Sequence, residues 1–193
     1  MEKIILLLIS AFCLLSSNCN LDYTIIQKTG SSFLIEKTKY TIRYYSDQQD
    51  NISTIQFTGD TIIEGLKYKR YNFDENENFF YHSGDFEYKR IFWEGLFFDV
   101  PFFPAYLLKD QKIYKTYENV NFKYEYLCSV DSVKTFEYKN KIYDSSYFVT
   151  IKIVMYLENK DTTIVSYYIL NFENGIVGFN RDERFFYLDS VIY

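Results

Sequence analysis

An all-β fold built as an antiparallel meander is what this chain predicts, and three observations carry the prediction. Aromatic residues make up 21% of the 193 residues, with 21 tyrosines and 19 phenylalanines, a composition that suits pleated, half-buried surfaces. No window sustains an apolar period of 3.6 residues, so amphipathic helices find no support. Short stretches of alternating apolar and polar residues recur instead, separated by turn-forming residues.

The first stretch, SSFLIEKTKYTIRYY (31–45), is long enough for one bent strand or two. STIQF and TIIEGLKYKRY follow on either side of Gly59-Asp60, a pair suited to a two-residue turn whose first position needs a positive φ. FFYH runs into Ser83-Gly84, and FEYKRIFWEG comes next. In VNFKYEYLCSVDSVKTFEYK, Phe122, Tyr124, Tyr126, Cys128 and Val130 fall on one side. The alternation is clearest in SSYFVTIKIVMYLE, where Val149, Ile151, Ile153, Met155 and Leu157 oppose Thr150, Lys152 and Tyr156. TTIVSYYILNF and IVGFN are joined through Asn174-Gly175, the strongest short hairpin signal in the chain, and RFFYLDSVIY closes it. Residues 158–161 and 180–183 read as slightly longer loops. Strands joined by short turns must run antiparallel, and so many in succession predict a strongly curved sheet, half-barrel or barrel.

One segment breaks the rhythm. WEGLFFDVPFFPAYLLKD (93–110) holds both prolines of the chain, Pro101 and Pro104, which remove two ladder donors and fix φ. It therefore reads as a Pro/Phe-rich connecting segment that cannot be an interior strand. Leu96, Phe97, Phe98, Val100, Phe102 and Phe103 would be costly to leave in water. The segment either plugs an end of the sheet or barrel, or presents an apolar surface to a ligand, a partner or a bilayer. In the second case the binding surface comprises Trp93, Phe97, Phe98, Phe102, Phe103 and Tyr106.

The first twenty residues, MEKIILLLISAFCLLSSNCN, place Lys3 before an apolar core from Ile4 to Leu15, then Ser16, Ser17, Asn18 and Cys19. That core is too short to span a bilayer and has the layout of a secretory signal. The arrangement resembles the lipobox of bacterial lipoprotein signals, although Asn18 stands where that family prefers Gly, Ala or Ser. The resemblance implies cleavage before Cys19, acylation of its thiol and new amino group with palmitate-like chains, and a membrane anchor in the cell envelope. The segments are then 1–18 as signal peptide, 19–32 as lipid anchor and tether, and 33–193 as one β domain, since no composition break or internal repeat divides the rest. Processing leaves 193 − 18 = 175 residues at an unchanged net charge of −5, because Glu2 and Lys3 leave together. The residues after the anchor, NLDY, contain one acid and no acidic run, so both the periplasmic face of the outer membrane and the cell surface stay open. FTGDTIIEGLKYKRY, through Gly59, Asp60, Thr61, Ile63, Gly65, Tyr68 and Arg70, is similar to a hairpin found in uncharacterised secreted lipoproteins of Gram-negative bacteria. YYILNFENGIVGF resembles a hairpin near their ends, through Gly175, Ile176, Val177 and Gly178. What the likeness implies is a β-rich lipoprotein family with no assigned activity.

Catalytic signals are sparse. A net charge of −5 gives no basic face for nucleic acid. His82 is the only histidine, which excludes a His-rich metal site, and its FFYHSGD context reads as a solvated residue beside a turn. Asp74, Glu75, Glu77, Asp85, Glu87, Glu94 and Asp99 offer carboxylates that would have to face one another across a cleft to hydrolyse a glycosidic bond. DENENFFYHSGD repeats the oxygen ligands of a calcium loop at Asp74, Asn76 and Asn78, with Asp85 at the twelfth position, but Phe79 stands where that loop requires glycine. Cys13 leaves with the signal, and Cys128, with nothing basic beside it, reads as a buried inert thiol. No catalytic residue, metal or cofactor is assigned. The expected function is a non-enzymatic binding or structural module for an apolar or amphiphilic ligand or an envelope protein, with a carboxylate-dependent hydrolase of envelope or dietary polymers as the alternative.

Overall fold

A computed structural model, describing residues 41–46, 52–93, 95–118, 122–157, 160–181 and 183–192, places the chain in one antiparallel sheet of 12 strands. The segments expected to form a signal and tether, Cys19 included, lie outside the described residues. The strands are β1 (Thr41–Ser46), β2 (Ile52–Ile63), β3 (Leu66–Phe73), β4 (Asn76–Ser83), β5 (Phe86–Trp93), β6 (Leu96–Pro104), β7 (Lys112–Glu118), β8 (Lys123–Tyr138), β9 (Lys141–Leu157), β10 (Lys160–Asn171), β11 (Gly175–Arg181) and β12 (Arg184–Ile192). Their order is β6-β5-β4-β3-β2-β1-β12-β11-β10-β9-β8-β7. Each strand thus pairs with its neighbours in the chain, β1 pairs with β12, and the single break falls between β6 and β7. The sheet is curled, and it is not closed into a barrel.

Local sequence explains most of the reversals. Glu64 and Gly65, at φ 51° and 82°, form the β2–β3 turn, both positive as a two-residue hairpin of this hand demands. The turn expected at Gly59-Asp60 is absent. A glycine with positive φ serves a bulge as well as a turn, and Gly59 (φ 127°) sits at the bulge between Phe57 and Gly59, beyond which the ladder continues to Ile63 and Leu66. Lys139 and Asn140 (φ 46° and 63°) close the long β8–β9 hairpin. Near Asn174-Gly175 the chain turns as expected, but over residues 172–174. There the Asn171 side-chain oxygen accepts the backbone N–H groups of Glu173 and Asn174 at 3.1 Å each, and Gly175 takes φ 75°.

The segment 93–110 is mostly not a connection. Leu96–Pro104 pairs with β5 as β6, an edge strand, and only residues 105–111 link it to β7. Val100 through Pro104 are all buried, which consecutive strand residues achieve only when both faces are covered. The prolines fit this role. Pro101 and Pro104 lie opposite Tyr88 and Phe86, two residues apart on β5, because the bulge between Glu87 and Tyr88 absorbs the odd residue. Both therefore hold the same orientation toward β5. Having no N–H to give that strand, they turn their nitrogens to the free edge, where a buried donor would have no ladder partner. The free edge points into the concavity at β8: the Tyr126 hydroxyl donates to the Phe102 carbonyl at 3.2 Å, and Phe98 meets Phe122 with ring centroids 4.5 Å apart. Phe102 and Phe103 both meet Tyr168 of β10, at 5.7 and 4.9 Å. The first half of the sheet is thus rolled into the second, like the inner edge of a scroll.

The outer wall of the scroll follows the simpler rule. Tyr124, Tyr126, Cys128 and Val130 of β8 are buried, as are Val149, Ile151, Ile153 and Met155 of β9, while Lys152 is exposed. The Tyr44 hydroxyl crosses from β1 to donate to the Ile176 carbonyl at 3.0 Å, tying the middle of the sheet to β11.

Candidate functional site

Cross-strand register builds the site. Lys69 of β3 stands opposite Phe80 of β4, and Phe80 stands opposite Lys89 of β5, so all three share the concave face. The Lys89 ammonium lies 5.7 Å from the ring centre of Phe73, 5.9 Å from Phe80 and 5.7 Å from Phe102. Beside it a cavity of about 200 Å³ opens between β2, β3, β5 and β6 on one side and β10 and β11 on the other. Ile55, Phe73, Phe102, Tyr168, Ile176 and Phe179 supply its apolar wall, and Ser53, Lys89, Ser166, Asn180 and Arg181 its polar groups. Among the described residues, no carboxylate lines it.

Asp74 organises the rim. At φ 55° it begins the β3–β4 turn, and its carboxylate accepts the Thr54 N–H at 2.7 Å, the Ser53 hydroxyl at 3.0 Å and the Arg181 guanidinium at 2.5 Å. Burial alone would raise this acid, but those three donors outweigh it and hold Asp74 below the usual carboxylate range. Burial pulls the Lys89 ammonium below its ordinary value with no neighbouring charge to offset it. Burial likewise pushes the Tyr168 hydroxyl up to about 12.

The sequence candidates are distributed as follows. Phe98, Phe102 and Phe103 are buried, whereas Phe97 and Tyr106 are exposed. Trp93 ends β5, and its side chain lies outside the described residues. Of the described side chains of that group, only Phe102 reaches the cavity wall. His82 is exposed near the end of β4. Asn76 and Asn78 belong to strand β4, and the carboxylate of Asp74 is committed to its three donors, so the calcium-like spacing does not form a loop. Among the described residues, no three His, Cys, Asp or Glu side chains gather as metal ligands would. Cys128 is buried, and its thiol is pushed up to about 11 by burial, as an inert core cysteine should be.

The acids do not converge either. Asp99 is paired across from Arg90, three residues from Glu87 on β5, so Glu87 and Asp99 project to opposite faces. Asp99 accepts the Tyr68 hydroxyl at 2.9 Å, and Arg90 donates to that hydroxyl at 3.0 Å and to Glu64 at 2.9 Å. Burial raises Asp99 above the ordinary carboxylate range despite these partners. Glu87 is buried among Lys69 and Tyr71, whose titrations it influences. Glu94 lies outside the described residues. Lys89 itself carries no sequence signal, since in FEYKRIFWEG it is one of two adjacent cations on a strand. Comparison with protein-family models, curated proteins and solved structures finds no match to this chain.

Proposed function

We propose that this protein is an exported, lipid-anchored component of the cell envelope that performs no chemistry of its own and holds a small apolar or amphiphilic molecule inside its curled sheet. The cavity is the observation that carries the reading: it is concave, walled by aliphatic and aromatic side chains, and has a few placed polar groups, the usual make-up of a small-molecule site. The apolar leader and Cys19 support export and anchoring. Its volume of about 200 Å³ sets the size of the guest. An apolar cavity of roughly 150 Å³ accepts benzene, so one ring or a short chain fits here and a long acyl chain does not. A hydrolase has less support, because no carboxylate among the described residues lines the cavity and Glu87 and Asp99 face apart.

Fluorobenzene, neutral and small enough to enter, tests the cavity by fluorine NMR titration. Ser166→Trp fills the space from β10 and is expected to weaken binding at least tenfold while leaving the melting temperature unchanged or higher. Equal binding by this variant would place the guest elsewhere. The anchor is checked separately by metabolic labelling with a clickable palmitate, expected on the wild type and lost in Cys19→Ala; an unlabelled wild type would remove the anchoring half of the proposal.

A further inference from the structure

We infer that the cavity selects a small anion: an acid with one ring or a short chain as its body, whose negatively charged head pairs with Lys89. This rests on the cavity being a ligand site and adds the chemistry of the ligand. Each of the other polar residues on the wall already has at least one protein partner. Arg181 is bound to Asp74, the Ser53 hydroxyl donates to the same carboxylate, the Asn180 side-chain oxygen accepts the Tyr167 N–H, and Ser166 bonds the Tyr168 hydroxyl. The Lys89 ammonium, with three donors to place, makes no hydrogen bond or ion pair among the described residues. It has ring faces around it at 5.7–5.9 Å, close to the outer limit of about 6 Å at which such rings attract a cation. The groups facing it from β3, β4 and β6 are Phe73, Phe80 and Phe102, none of them acidic. Glu87, two residues along β5, has Lys69 and Tyr71 as its electrostatic neighbours.

Lys89 is partly buried, and a cation drawn part-way out of water without a counter-ion bears part of the desolvation cost unrelieved. A methionine at position 89 would fill the same space and avoid that cost, and distant ring faces are the charge's sole partners among the described residues. A guest that brings its own anion would supply the missing partner and place its apolar body against Ile55, Ile176 and Phe179. The head and the wall are then complementary in both charge and polarity, with the ammonium at one side and hydrocarbon at the other.

The experiment compares three probes of one shape: phenylacetate, its neutral isostere phenylacetamide, and the cation phenethylamine, titrated at neutral pH by calorimetry. Wild type is expected to bind phenylacetate about ten- to a hundredfold more tightly than phenylacetamide, the gain of a charge-assisted hydrogen bond, and to bind phenethylamine worst. Lys89→Met should abolish the preference for the acid while still accepting fluorobenzene, and Lys89→Arg should keep it within a few fold. The assignment is overturned if wild type binds the amide as tightly as the acid, a result that needs no variant, or if Lys89→Met keeps the preference. Fluorobenzene binding together with equal affinity for acid and amide would overturn only the anionic head; failure of fluorobenzene and all three probes would remove the cavity as a ligand site altogether.

Discussion

Phe103→Ala is expected to cost about 3–5 kcal/mol of folding stability, the range for deleting a fully buried aromatic ring. Phe103 has no exposed surface and packs on Phe102 and Tyr168, with ring centroids at 4.3 and 4.9 Å. It sits where the inner edge of the scroll meets the far wall, and among the described residues no strand lies beyond β6 to hold the collapse open or to repair it. A domain of this size has on the order of 5–15 kcal/mol in total, so the variant should unfold at a markedly lower urea concentration. Phe97→Ala, six residues away on the same strand, is the control: its ring is 64% exposed, and the change should stay within about 0.5 kcal/mol. The two midpoints in urea decide the matter. A cost at Phe103 no larger than at Phe97 would mean that β6 does not seat inside the sheet.

That contrast shows where the sequence was legible and where it was not. Alternation marked the inner faces of β8 and β9 residue by residue, because those strands have one covered face and one wet face. β6 was opaque for the opposite reason. Covered on both sides, it reads as an unbroken apolar run with no period, and the prolines that suit a buried edge look like signs of a loop. The prohibition drawn from them, that the segment cannot be interior, agrees with its place at the sheet edge. β7 was missed because KIYKTYE, paired only with β8 and largely exposed, carries little apolar pattern at all. Gly59 misled because positive φ serves bulges and turns alike, and only the length of the ladder beyond it tells them apart.

The candidate site was less legible than the fold. Its wall draws on β2, β3, β5, β6, β10 and β11, elements more than a hundred residues apart in the chain, and no local motif specifies such a juxtaposition. Lys89 becomes distinctive only when the register sets Phe80 on one side of it and Phe102 on the other, and the curl brings β10 and β11 over them. Composition did foreshadow the character of the wall, since a chain so rich in phenylalanine and tyrosine has few other side chains with which to line a hollow.

Raising the pH should unfold this protein abruptly between about pH 10.5 and 11.5, because its core is built on protonated phenols. Tyr44, Tyr71 and Tyr126 are almost wholly buried. Burial is the main cause that drives each of them well above the ordinary tyrosine value, assisted by Tyr143 for Tyr44, by Glu87 and Asp60 for Tyr71, and by Cys128 for Tyr126. A group whose value is raised on folding contributes stability that is complete below its unfolded value, here 10.0, and is lost as pH climbs past it. At pH 11 each such phenol forfeits about 1.4 kcal/mol, so the three together forfeit about 4 kcal/mol. Tyr124, Tyr168 and the Cys128 thiol are shifted upward too and push the same way. Lys89 and Lys69 act oppositely, since burial lowers them and the unfolded chain binds more protons as pH rises toward 10.5. Two amines against six acids leave the sign unchanged. Tyrosinate absorbance and far-ultraviolet circular dichroism, followed together, separate the outcomes. Tyr44, Tyr71 and Tyr126 should ionise only in step with the loss of the sheet. Titration of Tyr44, Tyr71 and Tyr126 near pH 10, with the sheet signal unchanged, would show that water reaches these phenols and that the scroll does not close over them.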